Sequence, residues 1–281
     1  MGNKNKAAAK QASHKRSDPT SHHADAHAAA TNWPPFRPSL PVIPLAFDVP
    51  VPALQDQIVL LRNFWPKSLC RDYLAFLTGL PLTTTPGRPK RGEAARVNDR
   101  FQTHDARFAQ RLWLQTGLKD VVLEPSVQHL WGGEVVGLNP NVRVYRYSKN
   151  QFFDCHCMCV CNHSSGMDIS IMRRAGMLTV SRIPDDDSNL VDVPSDDGSE
   201  SIQAKTTWTA LLYLTSAADG VLGGETVFYP NDRKSVQELV IAPETGMLLL
   251  HRHGDECLLH EGREVVAGQK WIIRTDLCVR R

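Results

Sequence analysis

From Asn141 onward the chain is cut into short apolar segments, and no other feature limits its possible folds as much. They are Val142–Tyr147, Trp208–Thr215, Thr226–Tyr229, Leu239–Ala242, Met247–His251 and Trp271–Leu277, punctuated by Gly223-Gly224, Pro230-Asn231-Asp232 and Gly268. Runs of this length, rich in β-branched and aromatic residues and bounded by turn formers, read as strands. The preceding stretch is helical in pattern. Ser68 is placed to cap a helix carrying Leu69, Tyr73, Leu74, Phe76 and Leu77, and Asp105 to cap one carrying Phe108, Leu112 and Trp113. A third is predicted from Pro125 to Trp131, with proline in the permitted first turn. Helices followed by many spaced strands predict an α+β fold, with helices packed on a β-sandwich or barrel.

Residues 1–45 are Ala, His, Lys, Ser and Pro with little apolar content before Pro41–Leu45. Such a segment buries too little surface to offset its ordering entropy and is expected to be a disordered arm. Its first forty residues hold six Lys/Arg against Asp18 and Asp25, whereas the whole chain is only +2. A basic arm of this size reads as a solvated tail rather than a nucleic-acid interface, and the His22-His23-x3-His27 cluster is read the same way. No run of apolar residues is long enough to span a membrane. No secretory signal is visible, and Lys6 stands where a myristoylation signal needs Ser or Thr. Four of the seven cysteines fall at Cys155, Cys157, Cys159 and Cys161, a spacing unlike a disulfide framework. A reducing compartment, cytoplasm or nucleus, is expected.

Chemistry concentrates near the C-terminus. Iron that activates O2 takes two neutral imidazoles and a carboxylate on one face, with three positions left open. His260 at a strand edge, with Lys270 ten residues later, suits that pattern: the imidazole would bind metal and the cation would pair with a carboxylate deeper in the barrel. Lys270, Ile272 and Arg274 alternate onto one strand face, so Arg274 competes for the anchoring role. The plain alternative is a core histidine with two surface cations.

Several stretches resemble fungal-type prolyl-4-hydroxylase-like Fe(II)/2-oxoglutarate-dependent dioxygenases. They are Gly223-Gly224-Glu225-Thr226-Val227-Phe228-Tyr229-Pro230, His251-Arg252-His253-Gly254, His260-Glu261-Gly262, Asn98-Asp99-Arg100-Phe101-Gln102, and Arg143 to Tyr147 followed by Gln151-Phe152-Phe153. The resemblance covers roughly residues 55–156 and 184–279. It implies a double-stranded β-helix (jelly roll) over residues 141–281, with residues 46–140 as a helical lead-in packed on it. It also implies His260 as distal iron ligand, Lys270 as the 2-oxoglutarate anchor and Tyr147 as a hydrogen-bond donor to that cosubstrate. Tyr145 and Tyr147 share a strand face, and both also read as plain core aromatics. The cofactors implied are Fe(II) and 2-oxoglutarate, with ascorbate as a candidate accessory reductant. The partners are O2 and a peptide or small-molecule substrate, prolyl side chains being the guess that the resemblance offers.

The pattern breaks at the decisive place. After Asp154-Cys155-His156 the family motif calls for x-Asp-Asp-Ser, but Cys157-Met158-Cys159 follows, and the expected text returns as Asp186-Asp187-Ser188. The metal triad implied is therefore His156, Asp186 and His260, interrupted by a surplus of 28 residues at about 157–184, a whole number of codons. Leu178-Thr179 can be encoded by a branch-point-like CTAAC, and Ser181-Arg182 can contain a closing AG, so the surplus is read as a translated intron. Two other readings stand beside the enzyme. One is an inactive jelly roll acting as a binding module. The other is a cysteine-rich metal module built on Cys155, Cys157, Cys159, Cys161, His156 and His163, against which the alternation of four thiols onto one strand face argues.

Overall fold

The computed structural model of the chain describes residues 31–85, 87–89, 94–156, 190–230, 238–254 and 257–281. In chain order the strands are β1 (Ile58–Leu61), β2 (Thr83–Thr84), β3 (Arg96–Val97), β4 (Asp99–His104), β5 (Val135–Leu138), β6 (Asn141–Tyr147), β7 (Phe152–His156) and β8 (Leu190–Pro194). They continue with β9 (Ser201–Tyr213), β10 (Leu222–Gly223), β11 (Thr226–Tyr229), β12 (Leu239–Ile241), β13 (Leu248–Arg252), β14 (Leu259–Gly262), β15 (Val265–Ala267) and β16 (Lys270–Arg280). The helices are α1 (Lys67–Leu77), α2 (Ala106–Leu114) and α3 (Leu118–Val122).

A larger sheet runs β1-β13-β9-β16-β6-β4-β2, with β5 and β8 added on β16 and β9, and a smaller one runs β12-β11-β14-β7-β3. All of these pairings are antiparallel. Taken in sequence, β6, β9, β13 and β16 fall in the larger sheet, and β7, β11, β12 and β14 fall between them in the smaller one. This alternation of the chain between two facing sheets is the double-stranded β-helix. Each wind brings residues far apart in sequence to one mouth of the barrel.

The strand period of two sorts side chains between two cores. On β16, Trp271, Ile273, Leu277 and Val279 pack against the helical layer, whereas Ile272 joins the core inside the barrel. The same split runs along β13, with Leu248 and Leu250 outward and Leu249 inward, and along β6, with Val142 and Val144 outward and Tyr145 and Tyr147 inward. A central strand covered on both faces must be apolar or internally paired throughout, and Lys270 to Val279 are all buried.

The helices cover the outer face. α1 buries Leu69, Cys70, Tyr73 and Leu77, one stripe at helical spacing. Its start differs from the expectation. Pro66 takes the cap position at φ −69° without a side-chain bond, which leaves Ser68 inside the first turn. α2 begins as predicted: Asp105 accepts from the Phe108 amide at 2.9 Å. Asp105 also accepts from the Trp33 indole at 2.9 Å. Asp105→Ala should therefore cost about 1–2 kcal/mol, read as a lower midpoint in urea unfolding; an unchanged midpoint would contradict both roles.

Two expectations about helices need correction. The predicted helix from Pro125 to Trp131 is only a 3-10 turn at Gln128–Leu130, and α3 lies upstream of it, entered through Gly117 at φ +76°. The lead-in is not purely helical, since β1 pairs with β13, β4 with β6 and β5 with β16. Ile58-Val59-Leu60-Leu61 opens on two β-branched residues and is buried at every position, as a strand covered on both faces is. The acidic stretch before β9 also contains β8, which pairs with β9 through a turn where Asp197 accepts from Ser195 and Ser199 and Gly198 adopts φ +71°.

Residues 1–30 of the expected arm, including the histidine cluster, lie outside the described residues. Residues 31–45 do not behave as an arm. Trp33 stacks on Phe108 with centroids 4.0 Å apart, Phe36 packs against Tyr73, and the Tyr73 hydroxyl donates to the Pro34 carbonyl at 2.8 Å. Large rings offset the ordering cost that the composition of this segment suggested, each contributing about 1.5–3 kcal/mol when buried. No helix among the described residues is long and apolar enough to cross a membrane.

Candidate active site

His156 ends β7 and His260 lies on β14, and the two are direct cross-strand partners. Their rings lie 4.3 Å apart between centroids. Each ring is tethered from behind: His156 Nδ1 is 2.8 Å from the Asp154 carbonyl, and His260 Nδ1 is 2.8 Å from the Leu258 carbonyl. A carbonyl oxygen only accepts, so in these bonds Nδ1 carries the proton and Nε2 keeps the lone pair. Burial, the largest influence on both, pushes His156 well below the ordinary histidine range and His260 down to about 4. Neutral imidazoles with a fixed tautomer are what a metal requires of histidine.

The cavity behind these rings is lined on the opposite sheet by Lys270, Arg274, Tyr145, Tyr147 and Ile272. The predicted sharing of one face by Lys270, Ile272 and Arg274 therefore holds. The two cations differ in what they already hold. Arg274 contacts Asp276 at 3.2 Å, and Arg143 contacts the other carboxylate oxygen at 3.2 Å. Burial works to raise Asp276, but Arg274 and Arg143 beside it hold it below the usual carboxylate range. Lys270 donates to the Gly224 carbonyl at 2.6 Å and sits over the Tyr147 and Tyr213 rings at 5.6 and 5.4 Å. Gly224 adopts φ +73°, and a Cβ there would meet Lys270 Cδ at 3.2 Å, so glycine lets this carbonyl approach the ammonium.

Lys270 is only 3% exposed. Burial lowers its pKa to about 7, with Glu225 pulling the other way. Tyr147 is its cross-strand partner. Burial pushes the Tyr147 phenol up, which keeps its hydroxyl protonated as a donor. Asp186, the predicted carboxylate ligand, lies outside the described residues, as do Cys157, Cys159, Cys161, His163 and the whole 157–184 surplus. Cys155 is described and is buried on β7.

One residue of the site was not singled out from the sequence. His251 on β13 points into the same cavity, its ring 4.7 Å from that of His260 and only 2% exposed. A usable signal existed: Leu249 and His251 share strand parity, so an inward Leu249 requires an inward His251. His251, Cys257 and His260 place one potential ligand atom each within 4.8 Å of the others.

No protein-family model matches this chain, and no curated protein matches it. Solved structures of similar shape include prolyl hydroxylases and 2-oxoglutarate oxygenases. A viral collagen prolyl hydroxylase from Paramecium Bursaria Chlorella virus-1, in its 2OG complex, is 15% identical with a TM-score of 0.41, over 79% of this chain and 96% of that one. A Pseudomonas putida prolyl-4-hydroxylase is 12% identical with a TM-score of 0.48, over 82% and 98%. HygX from Streptomyces hygroscopicus, with nickel and 2-oxoglutarate bound, is 14% identical with a TM-score of 0.46, over 81% and 85%. At such identities and TM-scores the chemistry of this chain must be read from its own side chains.

Proposed function

We propose that this chain is an Fe(II)/2-oxoglutarate-dependent oxygenase that hydroxylates an unactivated C–H bond, with prolyl side chains of a peptide as the substrate suggested by the sequence resemblance. The observation that carries the reading is the His156–His260 pair, tethered through Nδ1, facing a cavity with a buried ammonium at its far wall. This donor set fits a ferrous ion: two neutral imidazoles are in place, and Asp186 supplies the carboxylate two residues beyond His156 once the 157–184 surplus is removed. When bound, the iron and 2-oxoglutarate supply the oxidising chemistry, coupling decarboxylation to succinate with oxygen insertion from O2.

The protein's own groups bind and orient. Lys270 takes the distal carboxylate of 2-oxoglutarate, exchanging its bond to the Gly224 carbonyl for a charge-assisted one. Tyr147, beside it on β6, donates its hydroxyl to the same carboxylate. Arg274 remains with Asp276 and shapes the cavity floor. Leu211, Ile272 and Phe153 on the walls exclude water.

The chain as written is expected to form its barrel and turn over poorly. Closing a loop longer by 28 residues costs only a few kcal/mol at most, because the entropy grows logarithmically with length, so β7 and β9 can still take their places. Metal coordination is less tolerant, since Asp186 must return to bonding distance on a long tether. The test compares succinate formation, under saturating Fe(II), by the chain as written, by a form lacking residues 157–184, and by that form carrying Asp186→Ala. Turnover by the shortened form alone is expected. Equal rates for the first two would make the surplus a tolerated loop, and full activity of the Asp186→Ala form would remove Asp186 from the site.

A further inference from the structure

His251 and Cys257, which the iron reading leaves unused, lie beside His260 and form with it a second set of metal-binding groups. His251 comes from β13 in the larger sheet, whereas Cys257 and His260 come from the approach to β14 and from that strand in the smaller one. Their ligand atoms lie within 4.8 Å of one another; the Cys257 Sγ contact of 3.9 Å is to His260 Nδ1, so a metal taken on that nitrogen would displace its bond to the Leu258 carbonyl and move the His260 proton to Nε2. Two imidazoles and a thiol converge here from two sheets. We propose that His251, Cys257 and His260 form a bis-imidazole–thiolate site for a thiophilic divalent cation, Zn2+ by ligand preference, distinct from the pairing of His156 with His260.

The chemistry separates the two sets. A thiolate and two imidazoles form a soft-to-borderline donor set with no carboxylate, which favours Zn2+ over Fe(II) both by softness and by the order of divalent affinities. Bonds of about 2.0–2.1 Å to nitrogen and 2.3 Å to sulfur put tetrahedral donors roughly 3.4–3.6 Å apart. The observed cluster, within 4.8 Å, needs to contract by up to about 1.2–1.4 Å to reach those separations, through side-chain torsions. Three protein ligands leave one position open, so the ion would retain a water or take a small anion from the cavity.

The shared residue gives the site a consequence. A neutral imidazole has one lone pair, so His260 serves one ion at a time. Zn2+ held by the thiolate and its two imidazoles therefore excludes Fe(II) from the His156–His260 pair. The thiolate-site proposal does not itself depend on the oxygenase reading, because its ligands include neither Asp186 nor Lys270.

Co2+ reports thiolate ligation through a charge-transfer absorption in the near ultraviolet, and serves as the probe for Zn2+. The full chain with Cys157, Cys159 and Cys161 changed to Ser removes competing thiols of the 157–184 segment. Titrated with Co2+, it should develop the thiolate band, and Zn2+ should displace it. Adding Cys257→Ser should abolish the band and weaken Zn2+ binding at least about tenfold, as expected for losing a direct ligand when even supporting partners are worth 10- to 100-fold. Cys257 is half-buried and serine is close in size, so an unchanged thermal midpoint should show the fold intact. His156→Ala should keep the band. A band that survives Cys257→Ser, disappears with His156→Ala or never forms in the parent overturns the proposal. None of these outcomes depends on succinate formation, so failure of the oxygenase reading would be seen separately.

Discussion

Replacing His260 with Ala in the form lacking residues 157–184 is expected to abolish Fe(II) retention and succinate formation together. Its imidazole faces His156 across the β7–β14 pair, and its Nδ1 is held by the Leu258 carbonyl. On the proposed triad, removing it would leave one imidazole and the Asp186 carboxylate, too few to hold a ferrous ion against water. Loss of a single outer-shell partner already costs 10- to 100-fold in metal affinity, so loss of the ligand should cost at least about 100-fold. The fold should survive, since His260 is a polar group near the barrel mouth and its removal spares the apolar clusters. Undiminished turnover in this variant would sink the assignment of the distal ligand.

Lys270→Met should show two large effects of opposite kind. The 2-oxoglutarate requirement should rise about 10- to 150-fold with the Fe(II) requirement little changed, because a charge-assisted contact is worth roughly 1.5–3 kcal/mol. The protein should also become more stable, by about 1–4 kcal/mol near neutral pH, because an apolar side chain of similar length replaces a buried ammonium. The sign follows from the pKa. The folded-state value is about 7, below the ordinary 10.5, so between these limits the unfolded chain binds more protons and stability rises with pH. That rise should be present in the parent and missing in Lys270→Met. The same group makes cosubstrate binding proton-linked: the bound dicarboxylate favours the ammonium, so affinity should fall about tenfold per pH unit above 7 until the raised pKa is reached. Arg274→Ala showing the cosubstrate effect while Lys270→Met does not would mean that the wrong cation has been named.

The parts of this architecture legible in the sequence were those governed by local period. Lys270, Ile272 and Arg274, and Tyr145 with Tyr147, share faces because strands alternate, and the observed cavity is lined by all five. Asp105 as a helix cap is equally local. Where tertiary packing decides, the reading failed. Trp33 lies in a Pro-rich segment whose composition argues for disorder, yet its ring fills a gap beside α2. β8 is short and lies between Asp185-Asp186-Asp187 and the Asp196-Asp197 turn, so its Val191 and Val193, which pack with Ala204 and Ile202 of β9, stand out little from their acidic neighbours. His251 shows the same division. Period fixes that it shares a face with Leu249, but only the meeting of two sheets tells that this face looks at His260.

Equilibrium dialysis of the shortened form under anaerobic conditions, against Fe(II) and labelled 2-oxoglutarate together, tests the central claim most directly. One Fe(II) per chain is predicted, with 2-oxoglutarate retained only when the metal is present and lost on substitution of either His260 or Lys270. A folded protein that binds neither, or that holds 2-oxoglutarate equally well without His260 and Lys270, would contradict the account.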